Sequence, residues 1–308
     1  MERIKQALEK ARQERQKGGD TPAGRPVAHG SLGRGKVSEP PTYSQTRTID
    51  VAKDFLREKR VISGLEQNAF TDAYKILRTQ VQQRLRENGW NSLAVTSPGE
   101  NEGRTLTAIN LAISLAMEVD YTVLLVDADL RHPSVHAYFG LETEYGLSDY
   151  LTSDKPLSEL LIHPAGIPGF VILPGGKPLM NSSEMLSSPK MVRLVEELKA
   201  RYPSRIVLFD LPPLLSAADA LAFSPYVDAA LLVLEESKTQ AQDAQHAIGL
   251  LQGTTLIGTV LNKSWTNMPG EQDDAAKSFA WFERLLDRVR LYRQPLIDWF
   301  SRLRRKKS

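Results

Sequence analysis

The sequence predicts a doubly wound α/β fold, with a mostly parallel sheet flanked by helices, on three observations. Short, continuously apolar runs recur through the middle of the chain. Segments of helical length and periodicity separate them. Several of the runs end in acidic or glycine-containing turns, as strands do where a parallel sheet meets a ligand. Alternating units of this kind bury such a sheet beneath helices on both faces.

In chain order, residues 1–17 read as a short helix with Ile4, Leu8 and Ala11 on one side. From Gly18 to about Ser44 the chain is rich in Gly, Pro, Ser and Thr. That composition cannot bury a core and is expected to form a disordered linker. A helix is predicted over 69–88, where Tyr74, Leu77, Val81 and Leu85 recur at helical spacing. Ser92–Ser97 reads as a strand, Leu106–Met117 as a helix and Thr122–Val126 as a strand apolar throughout, the pattern of burial on both faces. Val171–Leu173, Ile206–Phe209, Ala230–Leu234 and Ile257–Leu261 repeat it. The expected organisation is an arm over 1–59, an α/β domain over 60–265 and a tail over 266–308.

Composition narrows the function classes. There is no cysteine among the 308 residues, so disulfides, thiolate metal sites and cysteine nucleophiles are excluded. The first residues lack the apolar core of a secretory signal, and no run approaches the roughly 18 apolar residues of a membrane span. The expectation is a cytoplasmic protein. Its net charge of +2 is unevenly placed. Residues 1–60 carry 14 Lys/Arg against 8 Asp/Glu, and 277–308 carry 10 against 3. The intervening stretch carries 15 against 26. An acidic body argues against a nucleic-acid partner, whereas the basic ends suit an anionic surface.

Three strand ends carry the chemistry. After the first long strand come Ser97, Pro98, Gly99, Glu100, Asn101, Glu102, Gly103, Arg104 and Thr105, with Leu106 entering a helix. A strand, a tight turn and a helix N-terminus are what a phosphate-binding loop needs. Gly103 lets the backbone curl towards an anion, and Thr105 stands where a hydroxyl would ligate Mg²⁺. The usual lysine of such loops is Arg104, whose planar fork is not a compact ammonium. The strand Val123–Val126 then runs into Asp127, Ala128, Asp129, Leu130 and Arg131. Asp127 is placed to polarise a nucleophile or hold a metal's water shell, and Asp129 to add to that metal site. A third strand, Ile206–Phe209, ends in Asp210, Leu211, Pro212 and Pro213. Asp210 suits an outer-sphere Mg²⁺ ligand. The five histidines show no convincing metal spacing: Pro133 falls between His132 and His136.

On these motifs the chain resembles the bacterial tyrosine kinases among the MinD/ParA-like deviant-Walker ATPases, partners of membrane polysaccharide chain-length regulators. The resemblance runs from about Ala69 to Lys263. A deviant Walker A loop matches Ser97–Thr105, a second Walker motif Leu124–Arg131 and Walker B Val207–Pro213. Asp72–Thr79 looks like the family's subunit-docking helix. Leu173–Pro178, with Asn181, Glu184 and Leu186, is similar to its Pro/Asn-rich loop. Asn262 ends a strand where the family contacts the base. The resemblance implies ATP and Mg²⁺ as cofactors, γ-phosphoryl transfer to tyrosine in exopolysaccharide or capsule synthesis and export, and a membrane co-polymerase as partner. It implies homo-oligomers through the 69–85 helix. In the implied site Arg104 and the loop amides hold phosphates, Arg131 and Asn262 contact the nucleotide, Thr105 and Asp210 organise the metal, and Asp127 activates the acceptor. Two departures stand out: Arg104 replaces the Walker lysine, and beyond Asn262 the only tyrosine is Tyr292. They favour an alternative, a nucleotide-dependent regulator with weak catalysis.

The tail admits a third reading, a membrane-positioning ATPase. Phe279, Phe282, Leu286 and Val289 recur at helical spacing, and a polybasic Arg304–Lys307 follows. An apolar face beside basic residues suits peripheral binding of 279–307 to anionic lipid, or packing on the domain's own surface. A dinucleotide-binding oxidoreductase is excluded, because no Gly-x-Gly-x-x-Gly follows the first strand.

Overall fold

The computed structural model describes residues 46–62, 68–118, 121–142, 144–153, 155–200 and 205–264. The predicted N-terminal helix, the linker and the basic tail lie outside the described residues.

Eight strands form one sheet in the order β1-β4-β5-β3-β6-β2-β7-β8. They are β1 (Arg47–Ile49), β2 (Ser92–Thr96), β3 (Thr122–Asp127), β4 (Ile162–Pro164), β5 (Phe170–Leu173), β6 (Arg205–Asp210), β7 (Ala229–Glu235) and β8 (Thr255–Asn262). Every pairing is parallel except β4 with β5. The central strands are buried throughout or at all but an end residue, which is why they read as unbroken apolar runs.

Alternate residues of each central strand face opposite layers. Leu93, Val95, Val123, Leu125 and Leu208 enter one core. Ala94, Leu124, Val126, Val207 and Phe209 enter the other. The first core is covered by α1 (Lys53–Glu58), α2 (Ala69–Asn88) and α3 (Arg104–Ala116). The second lies beneath α4 (Leu147–Thr152), α5 (Leu157–Leu160), α6 (Ser182–Leu186), α7 (Pro189–Ala200), α8 (Asp219–Phe223) and α9 (Ala241–Leu250). The two layers make the fold doubly wound, as expected.

Local chemistry sets the helix that matters most. α2 starts in a capping box between Asn68 and Thr71 and stops at Gly89, which takes a left-handed φ of 68°. α3 has no such start. Its N-cap is Gly103 at φ 87°, with no side-chain cap and no acidic residue in the first turn. The amides of that first turn are therefore left for an external anion.

Two features differ from the sequence reading. α3 begins at Arg104 rather than Leu106, because its polar first turn carries no apolar periodicity. The folded region also begins before residue 60. β1 pairs with β4 through Arg47↔Ile162, Thr48↔His163 and Ile49↔Pro164, so part of the expected arm is an edge strand of the sheet.

Candidate functional site

The carboxyl ends of β2, β3, β6 and β8 converge on one edge of the sheet. Hydrogen bonds lock the strand ends together: Leu211 N to Val95 O at 3.0 Å, Ala128 N to Asp210 O at 2.9 Å and Leu214 N to Ser97 O at 2.9 Å. A cleft of about 1090 Å³ opens beside them. Glu100, Asn101, Gly103, Arg104 and Thr105 of the loop line it with Asn262 and Lys263, as do Phe70, Tyr74 and Leu77 of α2.

The loop is tightly drawn. Ser97 Oγ donates to Gly99 O at 2.6 Å, and Gly99 N donates to Glu102 Oε2 at 3.1 Å. Asn101 takes φ 60°, a conformation Asn tolerates better than most residues. Gly103 has a second constraint besides its φ of 87°. A Cβ there would stand 2.0 Å from Asn262 Nδ2, which donates to Glu102 O at 2.9 Å.

Asp127 and Asp210 pair in register across β3 and β6, and both are fully buried. Asp127 Oδ2 accepts from Ser134 N at 2.8 Å and Val135 N at 3.0 Å. Its Oδ1, and both oxygens of Asp210, have no hydrogen-bond partner of good geometry. Burial, and then the Asp210 charge, push Asp127 well above the usual carboxylate range. Burial raises Asp210 to about 6, opposed by the Arg104 guanidinium and the Thr105 hydroxyl. Gly175 packs against this pair: a Cβ on it would lie 2.7 Å from Pro133 and 3.3 Å from the Asp127 carboxyl carbon.

Arg104 turns inward. Its Nη2 bonds Asp129 Oδ2, its Nε donates to Leu211 O at 2.6 Å, and the same Nε lies 3.8 Å from Asp210 Oδ1. The guanidinium is the counter-charge of the acidic cluster. Asp129 is thereby committed to Arg104 and, through Oδ1, to His132 N at 3.0 Å. Arg131, expected to contact the nucleotide, is anchored towards α6 and α8. Its Nε bonds Asp219 at 3.0 Å and Ser182 at 3.2 Å, because fully buried Asp219 demands a cation. Leu106 lies on the cleft wall. No cluster of three His or acidic residues with the geometry of a metal cage occurs among the described residues.

The residues present nonetheless suit a hard cation held partly by a nucleotide. Three buried carboxylate oxygens without a hydrogen bond of good geometry, beside a threonine hydroxyl, are the donor set Mg²⁺ takes when phosphates complete its shell. Sequence reasoning missed Glu235, Lys238 and Thr239, which with Lys263 grip the loop; no motif spacing marks them.

The sheet order, the amide-lined loop and the paired strand-end acids define a P-loop protein of the deviant-Walker class. Comparison with known proteins narrows this. No family model matches the chain. It is 33% identical over 209 residues to the tyrosine-protein kinase YwqD of Bacillus subtilis, spanning 67% of this chain and 86% of that one. It is 30% identical over 193 residues to the tyrosine-protein kinase ptk of Acinetobacter johnsonii, spanning 62% of this chain and 26% of that one. The chain thus spans about a quarter of the length of several relatives it matches. Among solved structures, the kinase domain of Escherichia coli ETK superposes with a TM-score of 0.60 at 26% identity, covering 74% of this chain and 92% of that domain. The chain belongs to the bacterial tyrosine-protein kinase family.

Proposed function

We propose that this chain binds ATP with Mg²⁺ and transfers the γ-phosphoryl group to tyrosine, as an ATP-binding component of exopolysaccharide or capsule synthesis and export. The observation that carries the reading is the register pair Asp127↔Asp210, buried beside Arg104 of the amide-lined loop with three oxygens that lack a hydrogen bond of good geometry. Loop amides and the bare N-terminus of α3 hold the phosphates. Thr105, Asp127 and Asp210 hold Mg²⁺, which when bound neutralises charge on the β- and γ-phosphates. Asp127 takes the proton of the attacking hydroxyl; a bond from the acceptor oxygen to the γ-phosphorus forms, the β–γ bridge breaks and ADP leaves. Asn262 stands at the cleft wall to meet the nucleotide. In this reading a membrane co-polymerase is the partner, α2 is the contact between copies, and the protein is cytoplasmic and peripheral at the membrane. No helix among the described residues is long and apolar enough to cross a membrane.

A second reading has a specific observation behind it. Arg104 is bound to Asp129 and the Leu211 carbonyl, so a nucleotide must first compete for it. A chain of this kind binds ATP and changes assembly state with weak catalysis. Incubation with Mg²⁺ and γ-labelled ATP, with Asp127→Asn beside the wild type, decides between them. Label on tyrosine that disappears in the variant establishes the kinase. Retained ATP with no labelled protein removes the kinase and leaves the regulator.

A further inference from the structure

Three consecutive carbonyls of the phosphate loop are each held by a side chain from outside it. Glu100 O accepts from Lys238 Nζ at 3.0 Å, Asn101 O from Lys263 Nζ at 2.9 Å and Glu102 O from Asn262 Nδ2 at 2.9 Å. One carboxylate joins the two ammonium groups: Glu235 Oε2 lies 3.1 Å from each. Burial opposes its charge, but the hydrogen bonds from Lys263 and Lys238 prevail and lower its pKa. Thr239 Oγ1 adds a further tie, donating to Glu102 Oε1 at 2.5 Å.

The consequence follows from peptide geometry. There are no cis peptides among the described residues, and in a trans peptide the C=O and the following N–H point in opposite directions. Holding the carbonyls of residues 100, 101 and 102 aims the N–H groups of Asn101, Glu102 and Gly103 the other way. With Asn101 at φ 60° and Gly103 at φ 87°, successive amides curl into an anion-binding concavity.

Backbone strain marks the same place. Four non-glycine residues have positive φ among those described: Arg60, Asn101, Ser237 and Lys263. Three of them lie in the loop or in the two segments that grip it. Such conformations persist only where the surroundings over-determine them.

We infer that Glu235, Lys238 and Lys263 form a clasp that sets the loop amides in their anion-binding orientation before any ligand arrives. They are positioning residues: the amides meet the phosphates, and the clasp fixes the amides. The identity of the anion, a nucleoside triphosphate, rests on the function proposed above. The orientation is a property of the nucleotide-free chain and is testable separately.

The test uses the full chain as wild type, Lys238→Met/Lys263→Met, Lys238→Arg/Lys263→Arg, and Lys190→Met as a charge control on α7. Backbone amide ¹⁵N order parameters are measured residue by residue without nucleotide, and binding of a fluorescent ATP analogue with Mg²⁺ is titrated in parallel. In the Met pair, the order parameters of 101–103 are expected to fall from about 0.85 to below about 0.6 while those of β2, β3 and β6 keep their wild-type values. Affinity for the analogue is expected to fall by about tenfold, with both effects reversed in the Arg pair and absent in the control. Unchanged order in the loop overturns the clasp, as does an equal loss of order across the whole sheet. Failure of the wild type to bind the analogue overturns the nucleotide reading, while the order parameters still decide the clasp.

Discussion

Asp210 is held at a cost to stability, and the cost depends on pH. Its ordinary value is 3.8 and its folded value about 6, so between those values the native chain keeps a proton the unfolded chain has lost. Stability therefore falls as pH rises through that window, by about 3 kcal/mol at most from this residue. Asp210→Asn removes the buried charge. Chemical denaturation without Mg²⁺ or nucleotide should show the variant more stable than wild type at pH 8, with the difference shrinking towards pH 4. A difference that grows on acidification would contradict the assigned burial effect. Arg104 moderates the same cost, since its guanidinium is the one cation paired with Asp129 and Asp210 among the described residues. An arginine suits that task because its planar fork reaches a carboxylate and a carbonyl together. Its inward turn is invisible in the sequence, where the residue only marks the place of a missing lysine.

At the scale of elements, the loop and the first turn of α3 act as one piece, and Gly103 is the joint. Gly103→Ala would place a methyl group against Asn262 Nδ2 and force alanine to φ 87°. A loss of about 1–3 kcal/mol in stability is expected, together with the loss of ATP-analogue binding. Calorimetry and the titration read the two effects separately. The strands that carry the site were legible because each is an apolar run that stops at a charged or glycine-bearing turn: Thr122–Val126 before Asp127, Ile206–Phe209 before Asp210. The edge of the sheet was not. Arg-Thr-Ile in β1 and Ile-His-Pro in its neighbour β4 are three residues each, too short for a pattern, and the proline that closes β4 argues against a strand. The clasp was equally hidden. Lys238 lies 138 positions from Glu100, and lone charged residues in a turn carry no spacing that points across the fold.

For the whole molecule, charge divides the chain: an acidic stretch over 61–276 lies between basic ends. Deleting 277–308 removes ten Lys/Arg and three Asp/Glu. Sedimentation with vesicles rich in anionic lipid is expected to retain the full chain at low salt and release the truncated one. Equal sedimentation of both would assign that tail to protein contacts.

The sheet order also governs when the site can exist during synthesis. β2 leaves the ribosome long before its neighbours β6 and β7, which place Leu208 on one side of Leu93 and Ala229 on the other. Pairings so distant in sequence form slowly and late. The residues that grip the phosphate loop come later still, between Glu235 and Lys263. A nascent chain stalled before residue 235 carries every phosphate-loop residue and lacks the grip that shapes them. The concavity of the phosphate loop thus takes its shape only once the segment that ends in Lys263 has been made and has docked.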